Sequence, residues 1–579
     1  MKMRGWGRDW RSTLLTPEAP LYVAAVLVAL AIIGLALVVV WSTFVDGLPG
    51  MGGRYSLVNY ADVLFYPVAL EGAINTLIVG LGTVAVSLFF GLPIAWFIHR
   101  TATPLKSLAL TLMFMHAVVP TFLKTMGWIV LLSPKIGIVN QFLRTFVPVE
   151  SGPLSIYNLP SIAFVQGLTL TPTMFFMISG AFLAVDSAFE EAAEVCGASK
   201  LHALRRITVP LISPAVLAGI IYTFMTAVSM FEVASLLGRG EKIHVFATLM
   251  YTALNPETGL PRFGIAGVYG VLLFMPTLGA LYFYQRMLRL SYRYETVTGK
   301  GYRPKLIDLG RWKWAAAGFI LFFFTLDPFL PLLSTVWISF VPFIQPPSPA
   351  AISTMSLNGY GGAINVLLEG GVLANTLTLI VSVGLGIGLI SLIISWVVVK
   401  TRFRGRFVLD TISMLPHAIP RVATAFAVAF IALAFLGPIG LYGSVAAIVL
   451  AHTMSWIGFG TRTLNSTLIQ IHSDLEDAVL VSGGSRLVAI RGVFIPLLAS
   501  PITYVVIWTM LLSYREVTMA LFLQTPRNTV IATSIWLRWL AMDTAAAGAL
   551  GTIMVITMGT LVFALLRLRP QIFLGRARE

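Results

Sequence analysis

The sequence predicts an all-α integral membrane protein of about twelve transmembrane helices, arranged as two tandem six-helix repeats in parallel orientation. Three observations lead there. First, 57% of the 579 residues are hydrophobic and only 11% are charged, against roughly 25% charged in soluble domains. That is too little charge to coat a water-soluble surface, which sets aside disorder, a coiled coil and a soluble multidomain enzyme. Second, apolar runs long enough to cross about 30 Å of hydrocarbon as a helix recur twelve times along the chain. Third, one stretch between such runs occurs twice, 286 residues apart.

The elements follow in order. MKMRGWGRDWR opens a basic tail, 1–20, ahead of a first apolar run at 21–45. That run exceeds the 7–15 residues of a secretory signal core, so it reads as an uncleaved first span. The first half, 21–288, continues with spans near 73–98, 107–133, 158–185, 211–236 and 264–285. A basic linker, 289–313, joins it to the second half, 314–568. Spans there lie near 314–341, 372–399, 407–436, 440–461, 497–522 and 549–566, followed by a tail, 569–579. On this map most of the 39 Lys and Arg fall on one side of the membrane, as the positive-inside rule requires of the cytoplasmic side. Both termini are therefore expected in the cytoplasm, in a multi-pass membrane protein. The net charge of +15 is then topological and implies lipid, with no nucleic acid as partner.

The duplicated stretch reads FEEAAEVCGASKLHALRRITVPLISP, ending at Pro214, and LEDAVLVSGGSRLVAIRGVFIPLLASP, ending at Pro501. With Glu191 set against Asp477, Gly197 meets Gly483, Ser199 meets Ser485 and Pro210 meets Pro496 without a gap. Each copy, 186–210 and 470–496, precedes the fifth span of its half. Glu190 to Cys196 is a run of good helix formers that Gly197 ends, since glycine takes positive φ without penalty. Ser199 can cap a second short helix, and Pro210 suits the first turn of the following span. Elsewhere His116 to Pro120 echoes His417 to Pro420, and Glu232 echoes Glu516.

The first copy, through Glu191, Ala192, Ala193, Gly197, Ile207, Val209 and Pro210, resembles the EAA loop of permease subunits of binding-protein-dependent ABC importers. The second departs from it: Asp477, Ala478 and Val479 stand for Glu-Ala-Ala, while Gly483, Ser485 and Pro496 are kept. The resemblance covers both halves. It implies a type I importer permease fold in the inner membrane of a prokaryote and a loop that seats as a coupling helix in a groove of an ATPase. It also implies two copies of that ATPase on the cytoplasmic side, holding ATP and Mg, and a periplasmic or extracellular solute-binding protein. The shorter Asp477 implies that the second seat engages differently. No P-loop is present to bind ATP in this chain: the Gly299-Lys300 pair is followed by Gly301 where Ser or Thr is needed. The chain is thus expected to be a transport subunit and no enzyme, without cofactor or metal site of its own. The stretch from Ser513 to Trp536 resembles the fused ferric iron permeases, which makes ferric iron the first solute. Thiamine, phosphonate or polyamine are alternatives, and an ion-gradient-driven secondary transporter is the alternative mechanism.

Of the ionisable residues within the apolar runs, five stand out: Lys124, Glu232, Arg421, Arg515 and Glu516. Charges at membrane depth face a bundle interior or an aqueous path, so these are the candidates for the translocation path, with His116 and His417 behind them. The competing reading has Lys124 and Arg421 reaching to the outer interface. Cys196, the lone cysteine, reads as an inert thiol.

Overall fold

The computed structural model describes residues 18–146, 152–186, 188–291, 306–472 and 474–568. Most of the predicted tails and the first part of the linker lie outside the described residues. Among those described, the chain is almost wholly helical, with one two-residue antiparallel pairing of Val45–Asp46 with Arg54–Tyr55. In the first half the long helices are α1 (Ala19–Ser42), α2 (Pro67–Arg100), α3 (Leu159–Ala184), α4 (Leu204–Ser229) and α5 (Phe263–Ser291). In the second they are α6 (Trp312–Ile338), α7 (Val372–Lys400), α8 (Val445–Gln470), α9 (Ile490–Tyr514) and α10 (Thr544–Leu568). All but α8 are long and apolar enough to cross a membrane.

Three expectations change. The runs near 107–133 and 407–436 are not straight spans. Each is a helix pair, Lys106–Val118 with Thr121–Leu132 and Arg406–His417 with Arg421–Ala434, bent by 96° and 103°. The bends fall at Pro120 and Pro420, both in extended conformation. Proline lacks the N–H that would continue the ladder and biases the residue before it away from helix. The runs near 211–236 and 497–522 are also broken: α4 stops at Ser229 and α9 at Tyr514, and short helices Glu232–Gly238 and Thr518–Phe522 follow. The run near 440–461 continues to Gln470, where Arg462 and Asn465 meet Asp410 rather than solvent alone.

The halves repeat one packing plan. In the first, α2, α3 and α4 pack against one another; in the second, α7, α8 and α9 do so. Small contacts repeat with them. Thr76 accepts the Phe246 N–H at 3.0 Å, and Thr376 accepts that of Ile531 at 3.0 Å. The first helix of each half crosses to the other: α1 packs on Arg421–Ala434, and α6 packs on Thr121–Leu132. The latter approach is close, because a Cβ at Gly127 would collide with the Pro331 backbone. The bent pairs thereby lie at the centre, between the halves.

Candidate functional site

The two copies of the repeated loop fold alike. Ala188–Val195 and Asp474–Val481 are helices that end at Gly197 (φ +87°) and Gly483 (φ +82°). In each a backbone N–H turns back on the last turn: Ala198 to Ala193 O, and Gly484 to Val479 O, both at 2.9 Å. This is the glycine-terminated helix end, which satisfies carbonyls the helix leaves open. Ser199 Oγ accepts from the His202 N–H at 3.3 Å and Ser485 Oγ from the Val488 N–H at 3.4 Å.

The expected separate second helix is not separate. Lys200–Ala203 runs through a π-turn, Leu204–Thr208, straight into the membrane helix, and Arg486–Ala489 does the same through Ile490–Phe494. The reason is the proline two residues beyond each turn. A proline ring clashes with the carbonyl four residues back. Widening the ladder by one residue, with Val209 bonded to Leu204 O and Ile495 to Ile490 O, lets the helix pass Pro210 and Pro496.

Glu191, Ala192, Asp477 and Ala478 face solvent, as do Gly197, Ser199, Gly483 and Ser485, while Ala193 is half-buried. Beside them stand two apolar side chains that the sequence reading passed over: Val195 and Val481, each 88% exposed at the same position of its loop.

The loops differ at their base. Glu190 accepts from Arg100 at the end of α2 and, through its other oxygen, from Thr208 at the start of α4. Arg100 also donates to Val185 O, which closes α3, at 3.0 Å. In the second loop the same positions carry Lys400, Glu476 and Phe494. Lys400 Nζ donates to Ile471 O, which closes α8, at 2.6 Å and lies 5.2 Å from the centre of the Phe494 ring. Glu476 is its electrostatic neighbour, and Phe494 packs edge-on against Trp396 at 5.0 Å.

The five intramembrane candidates come together between the halves. Lys124 does not reach for the outer surface. It is fully buried, with Nζ 3.1 Å from Asp327 Oδ2 on α6 and 2.8 Å from His116 Nε2. His116 Nε2 lies 2.6 Å from the same carboxylate oxygen. Asp327, not anticipated from sequence, sits at a break in α6 where the backbone turns extended ahead of Pro328. Glu516 accepts from the Met519 N–H at 2.9 Å and lies 3.3 Å from His452. Arg515 donates across the halves to Ala117 O at 2.7 Å, and the Arg421 guanidinium stacks 4.7 Å over the Trp456 ring. Glu232 is within electrostatic range of Glu516, Arg421 and Arg515, and Lys124 within range of Glu232 and Arg515. With Asp327 the cluster holds three basic and three acidic side chains, a balance that buried charges require.

The echo of Glu232 by Glu516 is not one of register. Glu232 corresponds to Thr518, and the two touch: Thr518 Oγ1 donates to Glu232 Oε1 at 3.1 Å. Equivalent residues of a two-fold repeat meet only near its axis, so this bond marks the pseudo-twofold between the halves. His417 stands apart, in a small cavity of about 210 Å³ with Tyr222, Tyr284 and Arg462.

Comparison with known proteins agrees with the duplication. The family model for the inner membrane component of binding-protein-dependent transport systems matches the chain twice, over residues 87–289 and 384–569. A ferric transport system permease protein, FbpB, of Actinobacillus pleuropneumoniae is 24% identical over 480 residues, covering 82% of this chain and 68% of its own length. The spermidine/putrescine transport system permease protein PotB of Escherichia coli is 29% identical over 203 residues, 35% of this chain and 72% of its own.

Proposed function

The chain belongs to the family of binding-protein-dependent transport system inner membrane components, and from that premise we propose how its residues serve transport. It is a permease subunit of an ABC importer, a transport subunit whose ATPase is a separate chain. That sets aside the ion-gradient-driven alternative.

Each repeated loop is the seat of one ATPase copy, so two copies dock on the cytoplasmic face, with both termini of this chain on the same side. The exposed faces of Glu191, Ala192 and Val195 in one loop, and of Asp477, Ala478 and Val481 in the other, supply the polar edge and apolar knob that a helix needs in a groove. Glycine at 197 and 483 turns the chain so that this face points outward. ATP and Mg, held by the ATPase pair, draw the seats together. Because each loop is continuous with α4 or α9 through its π-turn, the displacement passes into the membrane helices.

Lys124, Glu232, Arg421, Arg515 and Glu516 line the gate of the path, which lies on the pseudo-twofold. The Glu232–Thr518 contact, between equivalent residues of the two halves, carries this part of the reading. The solute is ferric iron, delivered by a binding protein on the outer face. The support is coverage: the ferric permease aligns across both halves, the polyamine permease over little more than one third of the chain.

The test is capture of the cognate ATPase by the purified chain, followed by uptake of radiolabelled ferric iron into proteoliposomes carrying the full complex. Gly197→Asp and Gly483→Asp each weaken capture. Glu516→Gln leaves capture intact and lowers uptake. A folded wild-type chain that captures no ATPase removes the loop assignments, and unchanged uptake in Glu516→Gln removes that residue from the gate.

A further inference from the structure

We propose that Glu190 is a positioning residue that fuses the first repeated loop to the membrane helices as a rigid lever, and that the second loop has a compliant joint at the same place. The inference rests on the loops being the ATPase seats, but its first test does not.

Glu190 precedes the motif glutamate by one residue and points the other way. Arg100, Glu190 and Thr208 are 0%, 8% and 0% exposed. One carboxylate uses both oxygens, on Arg100 and on Thr208, while Arg100 holds the last carbonyl of α3. Three helices and the loop thus meet at one buried, charge-assisted node. Such bonds are short and directional, and a water-excluded site strengthens them. The linker adds to the node: Ile307 donates its N–H to Arg100 O at 2.8 Å and accepts that of Ala102 at 2.9 Å. A push on the loop cannot be absorbed there and must move α2, α3 and α4 together.

At the second loop a phenylalanine takes the place of the threonine, so the start of α9 offers no hydroxyl to the loop. Lys400 is half-buried and presents a compact ammonium over a ring in place of a planar fork. A ring face tolerates sliding, which a two-point hydrogen-bonded clasp does not. Glu190 touches neither solute nor nucleotide and acts only through where it holds the loop.

Cys196, exposed on the first loop and the lone cysteine of the chain, is a native reporter. A spin label there, on the full chain in lipid nanodiscs, should be less mobile than a label at Ser482→Cys in a Cys196→Ser background, the equivalent position. Thr208→Val should free the Cys196 label to the mobility of the second loop, and Glu190→Gln should do so too. Equal mobility of the two labels in the wild-type background overturns the inference. So does a Thr208→Val variant whose label stays as still as wild type.

In the reconstituted importer with radiolabelled ferric iron on its binding protein, Thr208→Val should lower iron transported per ATP hydrolysed about fivefold while ATPase capture holds. Loss of fold lowers both uptake and hydrolysis and leaves the ratio in place, so misfolding cannot mimic a lowered ratio, and an unchanged ratio at wild-type hydrolysis overturns the lever. Wild-type chain that captures no ATPase would remove the seat reading and leave the mobility result to stand alone.

Discussion

At the base of the first repeated loop Glu190 closes on Arg100 and Thr208, whereas at the base of the second the same positions hold Glu476, Lys400 and Phe494. Above the base the two loops are alike, in the helix, the glycine at positive φ, the serine cap and the π-turn ahead of proline. The difference teaches that duplication preserved the turn, the cap and the exposed valine of the loop and let the inner fastening diverge. Polar pairing and aromatic packing are two ways of holding a loop helix to the bundle beneath it.

The largest effect expected from this contrast is at Arg100. Arg100→Ala leaves the Glu190 carboxylate buried without its partner, a change that costs about 3–5 kcal/mol. Lys400→Ala removes a half-exposed ammonium and should cost about 1 kcal/mol or less. Thermal unfolding of the two variants in one detergent compares them, and a Lys400→Ala loss as large as that of Arg100→Ala breaks the contrast. The converse experiment probes the ring. Phe494 is fully buried against Trp396, so Phe494→Ala should cost about 3 kcal/mol. Its counterpart Thr208→Val, which removes one hydroxyl, should cost about 1 kcal/mol. The second loop would then be the one more sensitive to loss of apolar volume, in the same unfolding assay.

Much of this molecule is legible in its sequence, because a bilayer imposes long apolar runs and a duplication keeps its register. The two halves, the loops, Gly197 and Gly483 as helix stops, and the five membrane charges could all be named without coordinates. The bends could not. Pro120 and Pro420 lie inside apolar runs where proline can kink a helix slightly or end it, and the helices packed against the segments after the breaks, α1 and α6, come from the opposite half. Glu190 read as one more helix former because its partner Arg100 is remote in sequence. Asp327 lies inside an apolar run with its partner equally remote in sequence, and Lys124 alone implies it, since a lone buried ammonium is not tolerated. Pairing Glu232 with Glu516 followed residue type where register, counted from the loops, leads to Thr518.

Where the loops are alike, equal effects are expected, and these controls sharpen the contrast at the base. Gly197 and Gly483 have open space where a Cβ would stand, so a side chain there meets no neighbour and only the backbone resists. Gly197→Ala and Gly483→Ala should each cost about 1–2 kcal/mol through the left-handed conformation alone. Unequal losses would mean that one loop is held in that turn by more than its own sequence.

The smallest effect belongs to the caps. Ser199 and Ser485 accept from backbone N–H groups at 3.3 and 3.4 Å, beyond the usual range for such bonds. Loss of a serine cap costs roughly 0.5–2 kcal/mol, and bonds this long on solvent-facing residues should sit at the lower end, about 0.5 kcal/mol for Ser199→Ala and for Ser485→Ala. Each N–H freed by the change can turn to water, so the helix frays without unfolding. Hydrogen exchange at residues 202 and 488 reads this directly, and a faster exchange of similar size in both loops is the expected result. A change at 202 with none at 488 would mean that the rigid base of the first loop already strains its cap, carrying the difference between the two loops out to the surface that a partner would touch.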